Sequence, residues 1–559
     1  MKKMVIKFSF ALFLGIFLNT PAQNTITFQV DMKEAIVKNI FSYPDDKIIV
    51  RGSFEGWNTD DYVLNDDDAD SIFSEKFNVR GDPESVIEYK FVIIKTNGEI
   101  IWEYFPNPDN PPYGNRKLTL TGYPQLLPIE NFQLNSEINP YTNGIKLFGT
   151  KELQNDFVEL RKSLEEIHCC LYEYTSKEEF DSLFENQFKL INKSMGYHEF
   201  FNVVTPLIVK VGCMHTGIWM PNEFWELGAD NLFPLQLKLI EGHAVVSGYH
   251  NDAVQVPIGS IILEINSRPI NEIINTVKNS YSADAINKQF QLAQFEKRFP
   301  MTYASIYGFP ERYTVTYALP GRKTKETKEL IPANLQSVRK IVFKNFNYPP
   351  LTLTILEDKN TAVVKIPSFM FYDRVEYFTN FLDSSFSEIK SKKIKKLILD
   401  LRGNDGGDPF CAVPLLSYLE KEPVKYFAKE YGKYSEFAKP IPLAKNHFEG
   451  NLYTLIDKYC GSTNGHFCAL LKFHKIGRLV GEEGGSTYKC NARVEEFPLG
   501  NTHLIVNIAQ ETYSAAVEDM DKTKGVEPDY YVEQNYKDFL NGDDTVIKFT
   551  LQLIEKEEN

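Results

Sequence analysis

Residues 24–120 alternate apolar and polar positions in short runs at 25–32, 47–51, 71–79, 86–96 and 116–120, broken by turn clusters at 58–61 and 80–83. A period of two over segments of this length predicts half-buried strands, and their spacing predicts a small all-β sandwich over residues 24–121. The pattern lapses at 122–150, which reads as a linker. Across 151–232 the period changes to three and four. Phe157, Leu160, Leu164, Ile167 and Leu171 form one helical stripe, and Phe180, Leu183, Phe184, Phe188 and Ile191 form a second, opened by a capping pattern at Ser176. A third helix is expected over 197–210. Residues 233–335 return to short strands at 235–240, 244–247, 261–266 and 313–318, interrupted by a helical insert at 270–299. From 336 to 559 strands and helices alternate: paired strands at 351–356 and 361–366, a helix at 374–390, and then Leu397-Ile398-Leu399-Asp400-Leu401. Such a continuous apolar run is what a central parallel strand requires, so this last region is expected to be α/β. Further strands are expected at 452–457, 476–480, 504–507 and 530–532.

Three turns interrupt this pattern where chemistry is expected. Arg402-Gly403-Asn404-Asp405-Gly406-Gly407 follows the central strand at its carboxyl end, where glycines let backbone amides approach a ligand. In Tyr453–Lys472 an apolar strand breaks at Gly461-Ser462 and resumes as a helical run. Ser462 then either caps that helix or stands exposed as a nucleophile beside free amides and the positive end of a helix dipole. The third turn, Val211-Gly212-Cys213-Met214-His215-Thr216-Gly217, carries a lone histidine, a type more often structural than catalytic. His168 and His198 fall in helical patterns and read as packing or surface residues.

Composition bounds the function. At 559 residues, with 43% apolar and 24% charged positions, the chain is an ordinary multidomain globular protein. A formal charge of −14 argues against nucleic acid or an anionic membrane as partner. Lys2, Lys3 and Lys7, an apolar core at 8–18 and Thr20-Pro21-Ala22-Gln23 predict a cleaved signal over residues 1–23. The location expected is therefore secreted, periplasmic or cell-surface, with no membrane span after cleavage. The seven cysteines show no paired spacing, and no Cys/His cluster has metal-ligand spacing, so neither a disulfide framework nor a metal nor a cofactor is expected.

Two accessory regions resemble known modules. Residues 50–58 (VRGSFEGWN), 88–93 (EYKFVI), 101–103 (IWE) and Asn115-Arg116 together resemble the starch-binding carbohydrate module of amylases. That resemblance implies a sugar site at Trp57, Lys90 and Trp102, and a starch-like polysaccharide as a partner. The alternative is that both tryptophans fill the sandwich core. Pro257-Ile258-Gly259-Ser260, the alternation Ile261-Leu263-Ile265 and Asn266-Ser267-Arg268-Pro269-Ile270 look like a PDZ-type module, a class that binds peptide strands at a sheet edge.

Five segments in order resemble the serine peptidases that include tail-specific proteases and the core of tricorn protease. They are Cys213-Met214-His215-Thr216, residues 399–407, the Ser462 turn, Leu479-Val480-Gly481-Glu482 with Gly484-Gly485, and Lys524-Gly525-Val526-Glu527-Pro528-Asp529. The resemblance implies a crotonase-like ββα peptidase core, a peptide or protein substrate and an acyl-enzyme at Ser462. One branch of the family pairs serine with a lysine, whose place here is held by Thr487, with Lys489 reachable only by a shift of register. The other branch uses a histidine, matching His215, with a late acid orienting it indirectly: Glu527, or alternatively Asp521. The implied oxyanion donors are the N–H groups of Gly406 and Thr463. Many members carry an acid three residues after the serine, where this chain has Gly465, and His466 next to it is an alternative base. The function expected is a serine-type endopeptidase, tethered to polysaccharide if the first module binds sugar. The alternative is a catalytically inactive relative that binds a ligand or carbohydrate.

Overall fold

The structure is a computed structural model and describes residues 23–558 apart from 38–39, 97, 104–113, 133–140, 143–144, 254, 311, 323 and 344–347. The expected signal falls almost wholly outside the described residues; the first strand opens at Gln23. The chain divides into two units, residues 1–139 and 140–559.

In the first unit, strand Gln23–Asp31 runs antiparallel to Ile72–Arg80, and Lys47–Gly52 lies between Val63–Leu64 and Val86–Ile94 in a second sheet. Ile26, Phe28 and Val30 from one sheet share a core with Ile48, Val50, Tyr89, Phe91 and Ile93 from the other, as strand alternation requires. The segment expected as a linker contributes to this unit. Gln125–Leu126 and Glu130–Asn131 pair in parallel with the first strand, and Leu127 and Phe132 are buried beside them. Two-residue strands are too short to show a period, so only their tertiary pairing defines them.

The second unit begins with three helices, Thr150–Ile167, Lys177–Leu190 and Tyr197–Val211, whose apolar stripes meet in one core. Ser176 does cap the second helix, accepting from the Glu179 N–H. An antiparallel sheet follows, ordered Leu235–Ile240, His243–Tyr249, Ile261–Ile265, Tyr313–Ala318 and Lys325–Leu330. The helical insert within it is two helices, Ile270–Lys278 and Gln289–Tyr307.

The sheet that positions the site is ordered Thr352–Leu356, Thr361–Lys365, Lys396–Asp400, Asn451–Ile456, Arg478–Gly481 and Tyr530–Tyr531. Its first pair is antiparallel and all later pairs are parallel. Lys396–Asp400 is buried at every position, as its unbroken apolar run predicts. In register, Asp400 lies opposite Leu455, so the turns leaving these two strands emerge side by side. A further sheet joins Gly217–Trp219 to the hairpin of Lys489–Pro498 and Ile505–Ser514. The first arm of that hairpin alternates apolar and polar positions only over 490–494, is rich in charge and is mostly exposed beyond Asn491, so its pairing defines it more than its pattern does. Among the described residues, no helix is long and apolar enough to cross a membrane.

Candidate active site

Ser462 stands at the N-cap position of helix Thr463–Phe473, yet its side chain makes no capping hydrogen bond. Its backbone lies at φ +52°, ψ −126°, a region that a residue with a Cβ enters only when the surrounding structure holds it there. The restraints are visible. Asp457 accepts the Gly403 N–H at 3.1 Å on both carboxylate oxygens and the Tyr459 N–H at 3.1 Å, tying the glycine turn to the serine turn. Burial nevertheless pushes the Asp457 carboxyl up to about 7. Thr463 Oγ1 donates to the Gly407 carbonyl at 2.6 Å, and Asn464 Nδ2 donates to the Asn404 carbonyl at 2.9 Å. At Gly406, φ is +103° and a Cβ would lie 2.7 Å from the Gly461 oxygen and 2.8 Å from Ser462 Cβ. Only glycine fits there, because the two turns touch backbone to backbone.

The amides beside the serine sort into used and free. The Gly406 N–H, expected as an anion donor, gives its hydrogen to Asn404 Oδ1 at 2.9 Å. Asn404 is wholly buried and donates in turn to the Ile366 carbonyl at 3.0 Å. The N–H groups of Gly407 and Thr463 have no acceptor among the described residues, and Gly407 lines the cavity that Ser462 also lines.

His215 reaches the same cavity, of about 650 Å³, from another part of the chain. The helix Tyr197–Val211 ends in a left-handed Gly212 at φ +66°, which reverses the chain into the histidine turn. The Cys213 N–H donates to Ser282 Oγ and the Met214 N–H to Asp284 Oδ1, each at 3.0 Å. Thr216 Oγ1 accepts from the Ala509 N–H at 3.2 Å, and Gly217–Trp219 pairs with the strand Ile505–Ser514. Asp284 is buried, and burial pushes its carboxyl up to about 6 despite the Met214 N–H and a 2.6 Å bond from Ser486 Oγ. Met214 meets the serine turn: a Cβ on Gly461 would lie 2.9 Å from Met214 Cε.

The His215 ring edge carrying Nδ1 is sealed from solvent without a hydrogen-bond partner among the described residues. Burial pushes the imidazole down to about 4, against a smaller opposing effect of the Asn491 main chain, so the ring is neutral near pH 7. Ser462 and His215 are not hydrogen-bonded to one another among the described residues. The serine hydroxyl lies instead close enough to the Cys490 thiol to favour its thiolate, although burial holds that thiol well above its ordinary range. Cys490 Sγ is in turn 3.4 Å from His466 Nε2. His466 is 2% exposed, edges against the Tyr426 and Phe427 rings, and is pushed down to about 4 by burial and by the nearby His215. Its surroundings are those of a packed residue. Cys490 and Asp284 are the two site residues that motif reading misses; neither lies within a recognisable segment.

Glu527 and Asp521 are both exposed, and no hydrogen bond or ion pair joins either of them to His215 among the described residues. Asp521 accepts from the Thr523 N–H at 2.8 Å. Thr487 is fully buried. Lys489 Nζ pairs with Glu173 at 2.5 Å, a carboxylate shared with Lys522, and so is spoken for away from the serine. A Cβ at Gly465 would lie 2.8 Å from Ser486 Cβ, so the position at which the resemblance led to the expectation of an acid has no room for a side chain.

In the first unit the Trp57 and Trp102 rings lie 6.2 Å apart at 44°, both half-buried and outside the core. The Arg51 guanidinium stands 5.2 Å over Trp102, and Lys90 is buried. Asp66, Asp68 and Asp70 bring carboxylate oxygens within 4.8 Å of one another, a mostly exposed grouping of a kind common without a bound ion.

Residues 360–532 match the model of Peptidase family S41. The tail-specific protease of Haemophilus influenzae is 28% identical over 133 residues, which is 24% of this chain and 18% of that protein. The tricorn protease homolog of Saccharolobus solfataricus is 27% identical over 199 residues, 35% of this chain and 17% of that protein. The matches thus span less than a fifth of either relative's length. The crystal structure of mature CPAF superposes with a TM-score of 0.55 at 13% identity, covering 73% of this chain and 99% of that one, which establishes a shared fold. The segment holding the glycine turn, Ser462 and the parallel sheet therefore carries a family-level link to peptidase family S41 and the tail-specific and tricorn proteases.

Proposed function

We propose that the chain is a serine-type endopeptidase in which Ser462 Oγ attacks the scissile carbonyl and His215 takes the serine proton. His215 then returns that proton to the leaving amine, and water hydrolyses the acyl-enzyme by the same route. The observation that carries this reading is the backbone of Ser462: a strained, uncapped serine held against a glycine turn, on the cavity that His215 lines. As substrate enters, the hydroxyl turns from Cys490 toward His215; catalytic hydrogen bonds are commonly long or misaligned without substrate. The free N–H groups of Thr463 and Gly407 are the oxyanion donors in this reading, Gly406 bracing the turn through Asn404. Glu527 or Asp521 acts on His215 only indirectly, through intervening groups. A fluorophosphonate probe is expected to label the purified protein at Ser462, and Ser462→Ala and His215→Gln to lose labelling and peptide hydrolysis. Labelling that survives Ser462→Ala removes the assignment, and an intact fold that neither labels nor cleaves favours an inactive, ligand-binding relative.

A second reading concerns the first unit, where two half-exposed tryptophans lie side by side and the Arg51 guanidinium stands over one of them. Flat aromatic faces of this kind bury the apolar face of a sugar ring, so Trp57, Lys90 and Trp102 are proposed as a starch-like polysaccharide site. Retention on insoluble starch should fall in Trp57→Ala and Trp102→Ala; equal retention of all three proteins discards the site. With residues 1–23 as a signal, the enzyme would work in the periplasm, at the cell surface or in the medium.

A further inference from the structure

The cavity shared by Ser462 and His215 has a charged end that the hydrolytic chemistry does not use. One face of helix Gln289–Tyr307 lines it, with Phe290, Gln294, Arg298, Met301, Thr302 and Ser305 following at helical spacing. The neighbouring charges on that helix are paired: Lys297 with Asp405, and Glu296 with Lys458. Arg298 is not. Its guanidinium lies between two ring faces, 4.9 Å from the Trp219 centroid and 5.5 Å from that of Phe343. Its Nε is buried with no hydrogen-bond partner, and no carboxylate pairs with it among the described residues. Arg339 lines the same cavity, donates to Asn222 Oδ1 at 3.4 Å, and is pushed below its usual range by burial, against a smaller opposing effect of the Glu226 carboxylate. Among the described residues Asp405 is the one acid lining the cavity, and Lys297 pairs with it. The remaining wall is largely apolar and aromatic, with Trp219, Trp225, Tyr281 and Phe343 among its members.

An arginine fixed between aromatic rings presents a planar row of N–H donors at no further ordering cost, and that row matches a carboxylate. Surplus positive charge on an apolar wall disfavours a cationic occupant and leaves Arg298 under-bonded until an anion arrives. We infer that Arg298, held by Trp219 and Phe343 and supported by Arg339, is a carboxylate-binding subsite of the cavity and selects peptides bearing a carboxylate next to apolar side chains. The inference rests on the peptidase reading of Ser462. The carboxylate comes either from a free peptide C-terminus or from an internal Asp or Glu.

The test uses the full-length protein and internally quenched, apolar-rich peptides in four matched forms: internal Glu or Gln, each with a free or amidated C-terminus. Wild type is expected to favour a carboxylate form by about 30-fold or more in kcat/KM, the scale for one buried charged partner. Arg298→Gln should abolish the ratio through KM, and Arg298→Lys should restore part of it. The arm carrying the ratio, terminal or internal, names the source. Equal kcat/KM for all four forms, or a ratio unchanged in Arg298→Gln protein that still takes fluorophosphonate at Ser462, overturns the subsite. If no peptide is cleaved, the peptidase reading fails separately. Titration of the same peptides into Ser462→Ala then decides the subsite alone, tighter binding of a carboxylate form supporting it and equal binding refuting it.

Discussion

The two turns that meet at the cavity are built in different ways. The serine turn is local: Asp457, Gly461, Ser462 and Thr463 follow one strand directly, and the glycine turn that braces them leaves the adjacent strand in parallel register. The histidine turn is held from far along the chain. Ser282 and Asp284 hold Cys213 and Met214 across 69 and 70 residues, and Thr216 receives a bond from Ala509 across 293. A parallel α/β sheet delivers its strand ends to one rim whatever the loops do, whereas a lone histidine needs partners brought to it. The serine half of such a site should therefore be rigid and read from short motifs, and the histidine half should respond to residues in other modules.

The largest effect is expected on the serine side. Gly406→Ala places a methyl 2.8 Å from Ser462 Cβ at φ +103°, so the elbow must shift. We expect kcat to fall by about 10²–10³, the cost of losing an anion donor's alignment. Peptide turnover within threefold of wild type would mean the glycine turn does not set the serine.

On the histidine side the expected effect is smaller and mixed. Asp284→Ala strips acceptors from the Met214 N–H and Ser486 Oγ, and should cost about 1–3 kcal/mol in urea unfolding together with about tenfold in kcat/KM. Asp284→Asn keeps an acceptor for Met214 and should recover most of both. Unchanged activity in the alanine variant would show that His215 does not depend on this distant brace.

The mildest probe is pH. In the proposed mechanism the neutral imidazole of His215 is the base, and it is lost as pH falls through about 4, so the acid limb of kcat/KM should lie near 4 and not near 6.5. For stability the signs differ between the two partners of the histidine turn. His215 titrates below its ordinary 6.5, so its contribution is whole above 6.5 and drains away as pH falls toward 4. Asp284 titrates above its ordinary 3.8, so its contribution is whole below that value and is lost as pH rises through about 6. A limb at 6.5, followed by peptide turnover against pH, would place a solvated histidine in the role.

Much of this was legible in the chain. The unbroken apolar run before Arg402 marks the central strand, and the break at Gly461-Ser462 marks the elbow. The period-two runs of the first hundred residues mark a β unit. What was not legible depended on pairings between distant segments. The strands at 125–126 and 130–131 exist only by lying along Gln23–Asp31, and the charged arm Lys489–Pro498 only by pairing with Ile505–Ser514. That hairpin is what carries Cys490 to the serine and Asn491 to the histidine.

Sequence alone determined the local parts: a glycine turn after a buried strand, a serine at a strand-to-helix break, and a histidine in a glycine-bounded turn. It did so because backbone conformation and apolar period are short-range properties. Tertiary structure decided which amides are used, since Asn404 Oδ1 occupies Gly406 while Gly407 and Thr463 have no acceptor among the described residues. It decided that Lys489 serves Glu173 and not Ser462, and that Gly465 abuts Ser486 too closely for an acid. It also left Arg298 Nε without a hydrogen-bond partner among the described residues. Hydrogen bonds and desolvation depend on which groups arrive from elsewhere, and no spacing along a chain encodes that directly.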